Sequence, residues 1–210
     1  MPRNHESQGG AGSVISQLLN RVKTGQLQLK DIDDFYSRQT QQAAMFGKEL
    51  AQIDELTGKP NRRAFNEFLR GLDDESWGFI IFDIDHFKNF NDKHGHLTGD
   101  LVLKTMSAVV GLETRESDFF GRWGGEEWAL VMPGMSDPEL LKERAEEIRK
   151  IVEKIEVPSG SSNLSITISA GYGVNRGNSI DHDTFFKRVD DAVYKAKESG
   201  RNKVVEAKIE

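Results

Sequence analysis

The chain has 210 residues, 37% hydrophobic and 30% charged, with 28 Lys and Arg against 34 Asp and Glu, five His and no Cys. That length holds one catalytic-sized domain and an accessory segment rather than two large domains, and the lack of cysteine excludes disulfides, thiolate metal sites and a cysteine nucleophile. A net charge of −6 argues against a nucleic-acid polymer as partner, because a phosphate backbone needs a basic surface; a single nucleotide can still bind where a few cations and a metal converge.

Residues 1–12 read as a flexible leader without the apolar stretch of a secretory signal. The longest apolar run, Trp77-Gly78-Phe79-Ile80-Ile81-Phe82, falls far short of the ~20 residues that span a bilayer, so no membrane span and a cytoplasmic location are expected. Residues 13–24 predict a short helix with Val14, Ile15, Leu18, Leu19 and Val22 on one side, stopped by Gly25. A second helix is predicted from Asp31, as N-cap, to about Ile53. Its Ile32, Tyr36, Gln39, Ala43, Phe46, Leu50 and Ile53 recur at spacings of four and three, the seam of a short coiled coil that wants a partner. Gln39, Ala43 and Gly47 weaken that seam, and a helix packed on its own domain is the alternative.

The character changes near residue 55. Residues 62–72 predict a helix capped by Asn61, 77–83 a buried strand, and 87–93 and 100–113 two helices. Residues 118–123 and 126–132 read as strands joined by a tight turn at Gly124-Gly125. Asp137-Pro138 supplies an N-cap and first-turn proline for a helix to about Ile155. Leu164, Ile166, Ile168, Ala170, Tyr172 and Val174 alternate as a strand with one buried face; a helix over 184–199 stops at Gly200, and 203–207 forms a last strand. Helices between strands together with one antiparallel hairpin make an α+β fold the economical reading.

Phe82-Asp83-Ile84-Asp85 puts two carboxylates on one face at the end of an apolar strand, and Glu126-Glu127 follows the Gly-Gly turn. If the hairpin lies beside that strand, Asp83 and Glu126 converge on one hard cation; oxygen-only ligation suits Mg²⁺, which takes one or two carboxylates and leaves room for phosphate oxygens. The alternative is that Asp83 and Asp85 cap the following helix and both glutamates are solvated.

The ordered set over about 54–207 resembles the GGDEF-domain diguanylate cyclases, in a GGEEW form of the GGEEF signature. It comprises Asp54-Glu55-Leu56-Thr57-Gly58 with Asn61-Arg62-Arg63, Phe82-Asp83-Ile84-Asp85-His86-Phe87-Lys88 with Asn91-Asp92 and Gly95-His96, and Gly99-Asp100. Arg122-Trp123-Gly124-Gly125-Glu126-Glu127-Trp128, Ser169-Ala170-Gly171, and Ala196-Lys197 with Gly200-Arg201-Asn202 complete it.

The resemblance implies a mainly antiparallel central sheet flanked by helices, palm-like as in nucleotidyl cyclases, over 54–210, preceded by a helical stalk over 13–53. It implies condensation of two GTP to cyclic di-GMP with release of pyrophosphate. Asp83, the Ile84 carbonyl and Glu126 are the implied ligands of Mg²⁺, or of Mn²⁺ in its place. Glu126 is the candidate base, Glu127 assists, and Lys88 stabilises developing charge. Backbone amides around His86 and Phe87 meet phosphate, Asn91 and Asp100 read guanine, Asp92 and His96 lie near the ribose, and Lys197 and Arg201 grip the β and γ phosphates. Two departures from the family's pattern are Trp128 for the usual Phe and Lys59 where an apolar residue is frequent.

Arg115-Glu116-Ser117-Asp118 matches the family's inhibitory RxxD motif in sequence and spacing, which implies a cyclic di-GMP site; a surface Arg/Asp pair at a turn is the alternative. A product joined by two equivalent bonds calls for two facing half-sites, so a homodimer through the N-terminal helices is expected. Phe35, Tyr36 and Phe46 offer a second use of 13–53, docking a regulatory protein. A non-catalytic cyclic di-GMP receptor and a pure interaction module are the competing functions.

Overall fold

The structure is a computed structural model that describes residues 52–72, 76–159, 162–177 and 180–209. The helices expected over 13–24 and 31–53 lie outside these residues, except for the last two positions, where Ile53 forms an isolated antiparallel bridge with Pro60. The leader at 1–12 also lies outside them.

Helix α1 (Arg62–Arg70) starts where the Asn61 side chain accepts from the amides of Arg63 and Ala64, and it stops at Gly71, two residues before the predicted end. Strand β1 (Ser76–Ile84) is central; α2 (Phe87–His94) and α3 (His96–Leu112) follow, separated by Gly95 alone. Helix α3 thus begins four residues ahead of the predicted start, because the extended ψ of Gly95 (φ 84°, ψ 154°) redirects the chain in a single residue. Strands β2 (Phe119–Gly124) and β3 (Glu127–Pro133) make the hairpin, and α4 (Pro138–Glu153) is capped by Asp137. The small β4 (Glu156–Ser159) and β5 (Ser162–Ser165) pair is followed by β6 (Ile168–Arg176), α5 (His182–Glu198) and β7 (Lys203–Glu206).

The five-stranded sheet runs β2-β3-β1-β6-β7, antiparallel throughout except for the parallel β6/β7 pair. Side chains alternate across it. Ile80, Phe82 and Ile84 enter a core with residues of α3 and α4, while Trp77, Phe79 and Ile81 enter a second core with residues of α1 and α5. The single strand predicted from Leu164 to Val174 is broken at Ile166-Thr167, and β6 is buried on both faces rather than one because α5 covers the other side. The hairpin turn also differs from the prediction. Gly124 still pairs with Glu127 after a register shift, and the turn residues are Gly125 (φ 51°) and Glu126. Glu126 therefore sits at the tip and only Glu127 belongs to the strand.

Of the two departures from the family's pattern, Trp128 is interior and Lys59 is partly buried. Trp128 is fully buried opposite Phe82, stacks on Phe120 at 5.3 Å, and leaves its indole N–H without a hydrogen-bond partner. Lys59 places Nζ against Gly111 near the end of α3, and burial pushes its pKa down. A charge held out of water costs stability that an apolar chain of similar length does not. Lys59→Met is therefore expected to raise stability at pH 7 by about 1 kcal/mol, read as a higher melting midpoint. The lowered pKa fixes the sign: the difference should shrink as pH rises from the lowered value toward the ordinary lysine range, where the folded and unfolded amines are both neutral.

Candidate active site

The chemistry-bearing residues gather at one end of β1. Asp83, 8% exposed, lies on the α5 side of the sheet, between Glu127 on β3 and Ser169 on β6. Lys197, from the last turn of α5, meets Asp83 Oδ2 at 2.9 Å. Burial pushes the Asp83 carboxyl above its ordinary range, with Glu126 and Asp85 adding to the rise and Lys197 opposing it. Glu127 is raised for the same first reason, and Asp83, Asp190 and Glu126 add their negative charge. Glu126 is tied in through its backbone, since the Ile84 N–H donates to its carbonyl at 3.4 Å.

The hairpin does lie beside β1, with Glu127 the direct cross-strand neighbour of Asp83 and Glu126 next to it at the tip. Among the described residues no three Asp, Glu or His side chains form a ready-made metal cage. The donor set still suits a hard cation that takes two carboxylates and a carbonyl and draws its remaining ligands from phosphate and water.

The alternative in which Asp83 and Asp85 cap the next helix does not occur. The α2 N-cap is His86 in the left-handed region (φ 57°), with no side-chain cap bond. Asp85 instead accepts from Thr167, Ser169 and the Asn202 amide.

Beyond His86, the buried Phe87 anchors α2 and Lys88 is exposed on its first turn. One α2 turn further, Asn91 packs against Gly99 of α3, and its Oδ1 is buried without a hydrogen-bond partner. Asp100 follows Gly99 on the first turn of α3 and is half-buried, while Asp92 and His96 are exposed. An orphaned buried amide oxygen is a group prepared for a donor. Arg201 lies beyond α5 in a turn of its own.

Arg115 and Asp118 close a short turn: the Arg115 N–H donates to Asp118 Oδ2 at 3.0 Å, and the Asp118 N–H donates to the Arg115 carbonyl at 3.0 Å. The Arg144 guanidinium, from α4, donates to the Glu113 carbonyl beside it.

Sequence reasoning gave no role to Arg122 or Asp54. Arg122 Nη1 reaches both Asp54 carboxylate oxygens at 3.1 Å, while its Nε donates to the Gly125 carbonyl at 2.8 Å. Asp54 Oδ1 also accepts from the Thr57 amide and hydroxyl at 2.9 and 2.6 Å. The entry to the domain is thereby fastened to the acidic hairpin turn. A cleft of about 600 Å³ adjoins that turn, lined by Arg62, Arg63 and Trp123 among others, with Arg62 stacked over Trp123 at 4.6 Å.

A family model for the diguanylate cyclase GGDEF domain matches residues 51–203. The chain is 34% identical over 196 residues to diguanylate cyclase DgcP of Pseudomonas aeruginosa, covering 90% of this chain and 28% of that protein. It spans between 28% and 42% of the length of three of the curated relatives it matches. Among solved structures, it resembles the coiled coil and GGDEF domain of DgcB from Caulobacter crescentus in complex with c-di-GMP, with 29% identity, a TM-score of 0.71, and coverage of 83% of this chain and 95% of that one. It also resembles diguanylate cyclase SiaD in complex with its activator SiaC from Pseudomonas aeruginosa, with 33% identity, a TM-score of 0.70, and coverage of 93% and 75%. Among the described residues no helix is long and apolar enough to cross a membrane.

Proposed function

The chain belongs to the GGDEF diguanylate cyclase family, and on that footing we propose that it condenses two GTP to cyclic di-GMP with release of pyrophosphate. The observation that carries this reading is the Asp83–Lys197 ion pair at the end of β1, with Glu127 across the strand from Asp83 and Glu126 next to it at the hairpin tip. In each half-reaction the 3′-oxygen of one nucleotide bonds to the α-phosphorus of the other, the bond to the β-phosphate breaks, and the hydroxyl proton passes to a carboxylate. Glu126, at the hairpin tip, is the proposed base, with Glu127 beside it.

Lys197 and Arg201 take the β and γ phosphates, Lys88 balances charge on the reacting phosphate, and the amides of His86 and Phe87 meet phosphate at the start of α2. Asp83, the Ile84 carbonyl and Glu126 would hold Mg²⁺, with Mn²⁺ as the alternative. Bound there, such an ion would neutralise phosphate charge and help orient the nucleotide. Asp92 and His96 flank the ribose, and Asn91 with Asp100 reads guanine, a reading that the unpartnered Asn91 Oδ1 supports.

This recognition has a steric test. A Cβ at Gly99 would collide with Asn91 Oδ1, so Gly99→Ala must turn the amide away. Because Asn91 is only partly buried and can swing outward, KM for GTP should rise ~10-fold or more, as for a lost hydrogen bond, with little change in melting temperature. Steady-state kinetics alongside thermal melting separate the two quantities.

We further assign product feedback to Arg115 and Asp118, which two hydrogen bonds join in one turn. Arg115→Ala should raise the cyclic di-GMP concentration that half-inhibits turnover by ~10-fold or more while initial rates hold. Unchanged inhibition would leave the pair a surface turn.

Residues 54–210 form the proposed catalytic domain and 13–53 the stalk that pairs two of them in a cytoplasmic homodimer. The likeness to the coiled coil and GGDEF domain of DgcB supports that division, and the likeness to SiaD, solved with an activator, supports a regulatory protein on the stalk. The chain, with and without residues 1–53, is incubated with GTP and Mg²⁺, and pyrophosphate, cyclic di-GMP and oligomeric state are measured. Product from the dimer carries the proposal. Cyclic di-GMP binding with no turnover under any condition replaces it with a receptor.

A further inference from the structure

Asp85 stands two residues beyond Asp83 and is equally buried, at 8% exposure, and three donors hold it. Oδ1 accepts from Ser169 Oγ at 2.6 Å, and Oδ2 accepts from Thr167 Oγ1 at 2.7 Å and from the Asn202 N–H at 3.0 Å. With both oxygens committed, this carboxylate holds structure together.

Asn202 ends a run of three positive φ angles: Gly200 at 112°, Arg201 at 62° and Asn202 at 46°. Two of the three are not glycine, so the turn persists only where its surroundings over-determine it. They do so here. The Arg201 N–H donates to the Ala196 carbonyl at 3.0 Å, fixing the turn to the end of α5. The Asn202 side chain donates to Glu153 Oε1 at 2.7 Å and accepts from Arg149 Nη1 at 2.8 Å, fixing it to α4. Asp85 fixes it to the end of β1. Three elements hold one strained turn, and that turn carries Arg201 four residues from Lys197.

We infer that Asp85 and Asn202 are positioning residues for the polyphosphate end of the nucleotide, acting by holding Arg201 in its left-handed backbone. The inference rests on the proposed GTP reading of Lys197 and Arg201. An arginine whose backbone is already fixed loses less freedom when it grips a phosphate, so affinity is drawn from the turn as well as from the charge. Strain held beside a binding site is what such a role predicts.

The test compares GTP with GMP, which lacks the β and γ phosphates. Affinities of the full chain are measured by calorimetry in EDTA, so that no turnover consumes GTP and no bound cation contributes. Arg201→Ala is the reference. If the wild type does not prefer GTP over GMP, or if Arg201→Ala leaves that preference intact, the GTP reading of Arg201 fails and the inference falls with it. With the preference present, Asp85→Asn and Asn202→Ala should each weaken GTP ~10-fold or more, the scale of one charge-assisted hydrogen bond, while GMP changes less than ~3-fold. Asn202→Gly keeps the amide N–H and suits the positive φ but loses the side-chain bonds to Glu153 and Arg149, so its GTP affinity should fall between those of wild type and Asn202→Ala while GMP stays within ~3-fold. Parallel loss of GTP and GMP in Asp85→Asn and Asn202→Ala, or full GTP affinity in both, overturns the inference.

Discussion

Asp83→Asn is expected to lower the rate of cyclic di-GMP formation by ~10³-fold or more, while leaving the fold as stable as before or more so. The rate falls because a buried carboxylate beside the hairpin tip is the charge that would hold a divalent cation and with it the nucleotide. Stability moves the other way for a reason visible in the same residue: burial pushes the Asp83 carboxyl upward, so the folded chain holds an anion at a cost. A neutral amide of the same shape removes that cost. Lys197, whose side chain is 32% exposed, can return to water when its partner goes.

The pH dependence follows in sign. For a carboxyl raised in the folded state, folding is penalised above the raised pKa, and the penalty is relieved as pH falls through it toward the ordinary carboxylate value. Denaturant midpoints of wild type and Asp83→Asn without metal should therefore differ most near neutrality and draw together in mild acid. A variant that loses rate and stability together would mark Asp83 as a structural ion-pair partner of Lys197 instead.

Gly171→Ala should destabilise the domain by about 3 kcal/mol or more, a large share of the ~5–15 kcal/mol that holds a domain folded. A Cβ at Gly171 would strike the Val189 carbonyl and approach the Val193 amide to 2.9 Å and Val193 Cγ2 to 3.1 Å. Two of these obstacles are helix backbone, which no rotamer change can move, so α5 must lift off β6. The packing of Phe185, Val189, Ala192 and Val193 on the sheet is then lost in part, and Lys197 is drawn from Asp83. Gly173→Ala is the control. Its Cβ would meet only side-chain atoms at 3.4–3.5 Å, and the change should cost less than ~1 kcal/mol. Urea unfolding of both variants measures the contrast; equal midpoints would mean that α5 shifts freely and does not set the geometry of the site.

Much of the site was legible because its signals are local. The apolar run ending in Asp83 marks a buried strand that terminates in charge, and Asn61 and Asp137 mark helix starts that the structure realises within a residue. The errors fell where local signals tie. Both Gly124-Gly125 and Gly125-Glu126 suit a tight turn, and only pairing of Gly124 with Glu127 selects the second. Alternation in β6 predicted one buried face, but the small Gly171 and Gly173 on the other face mark where α5 comes down, and small residues carry no hydropathy signal. The role of Asp85 was hidden for a different reason: its partners lie 82, 84 and 117 residues away along the chain.

The sequence by itself determined that no thiolate can serve as a metal ligand and that its motifs belong to a nucleotide-condensing family. Composition, period and motif order are properties of the chain and survive unfolding. Only the tertiary structure decided which acid faces Asp83, that Arg122 ties the domain entry to the hairpin, and that Asp85 serves the turn of Arg201. Those facts depend on hydrogen bonds and charges within ~3 Å, between residues that strand register and helix docking alone bring together.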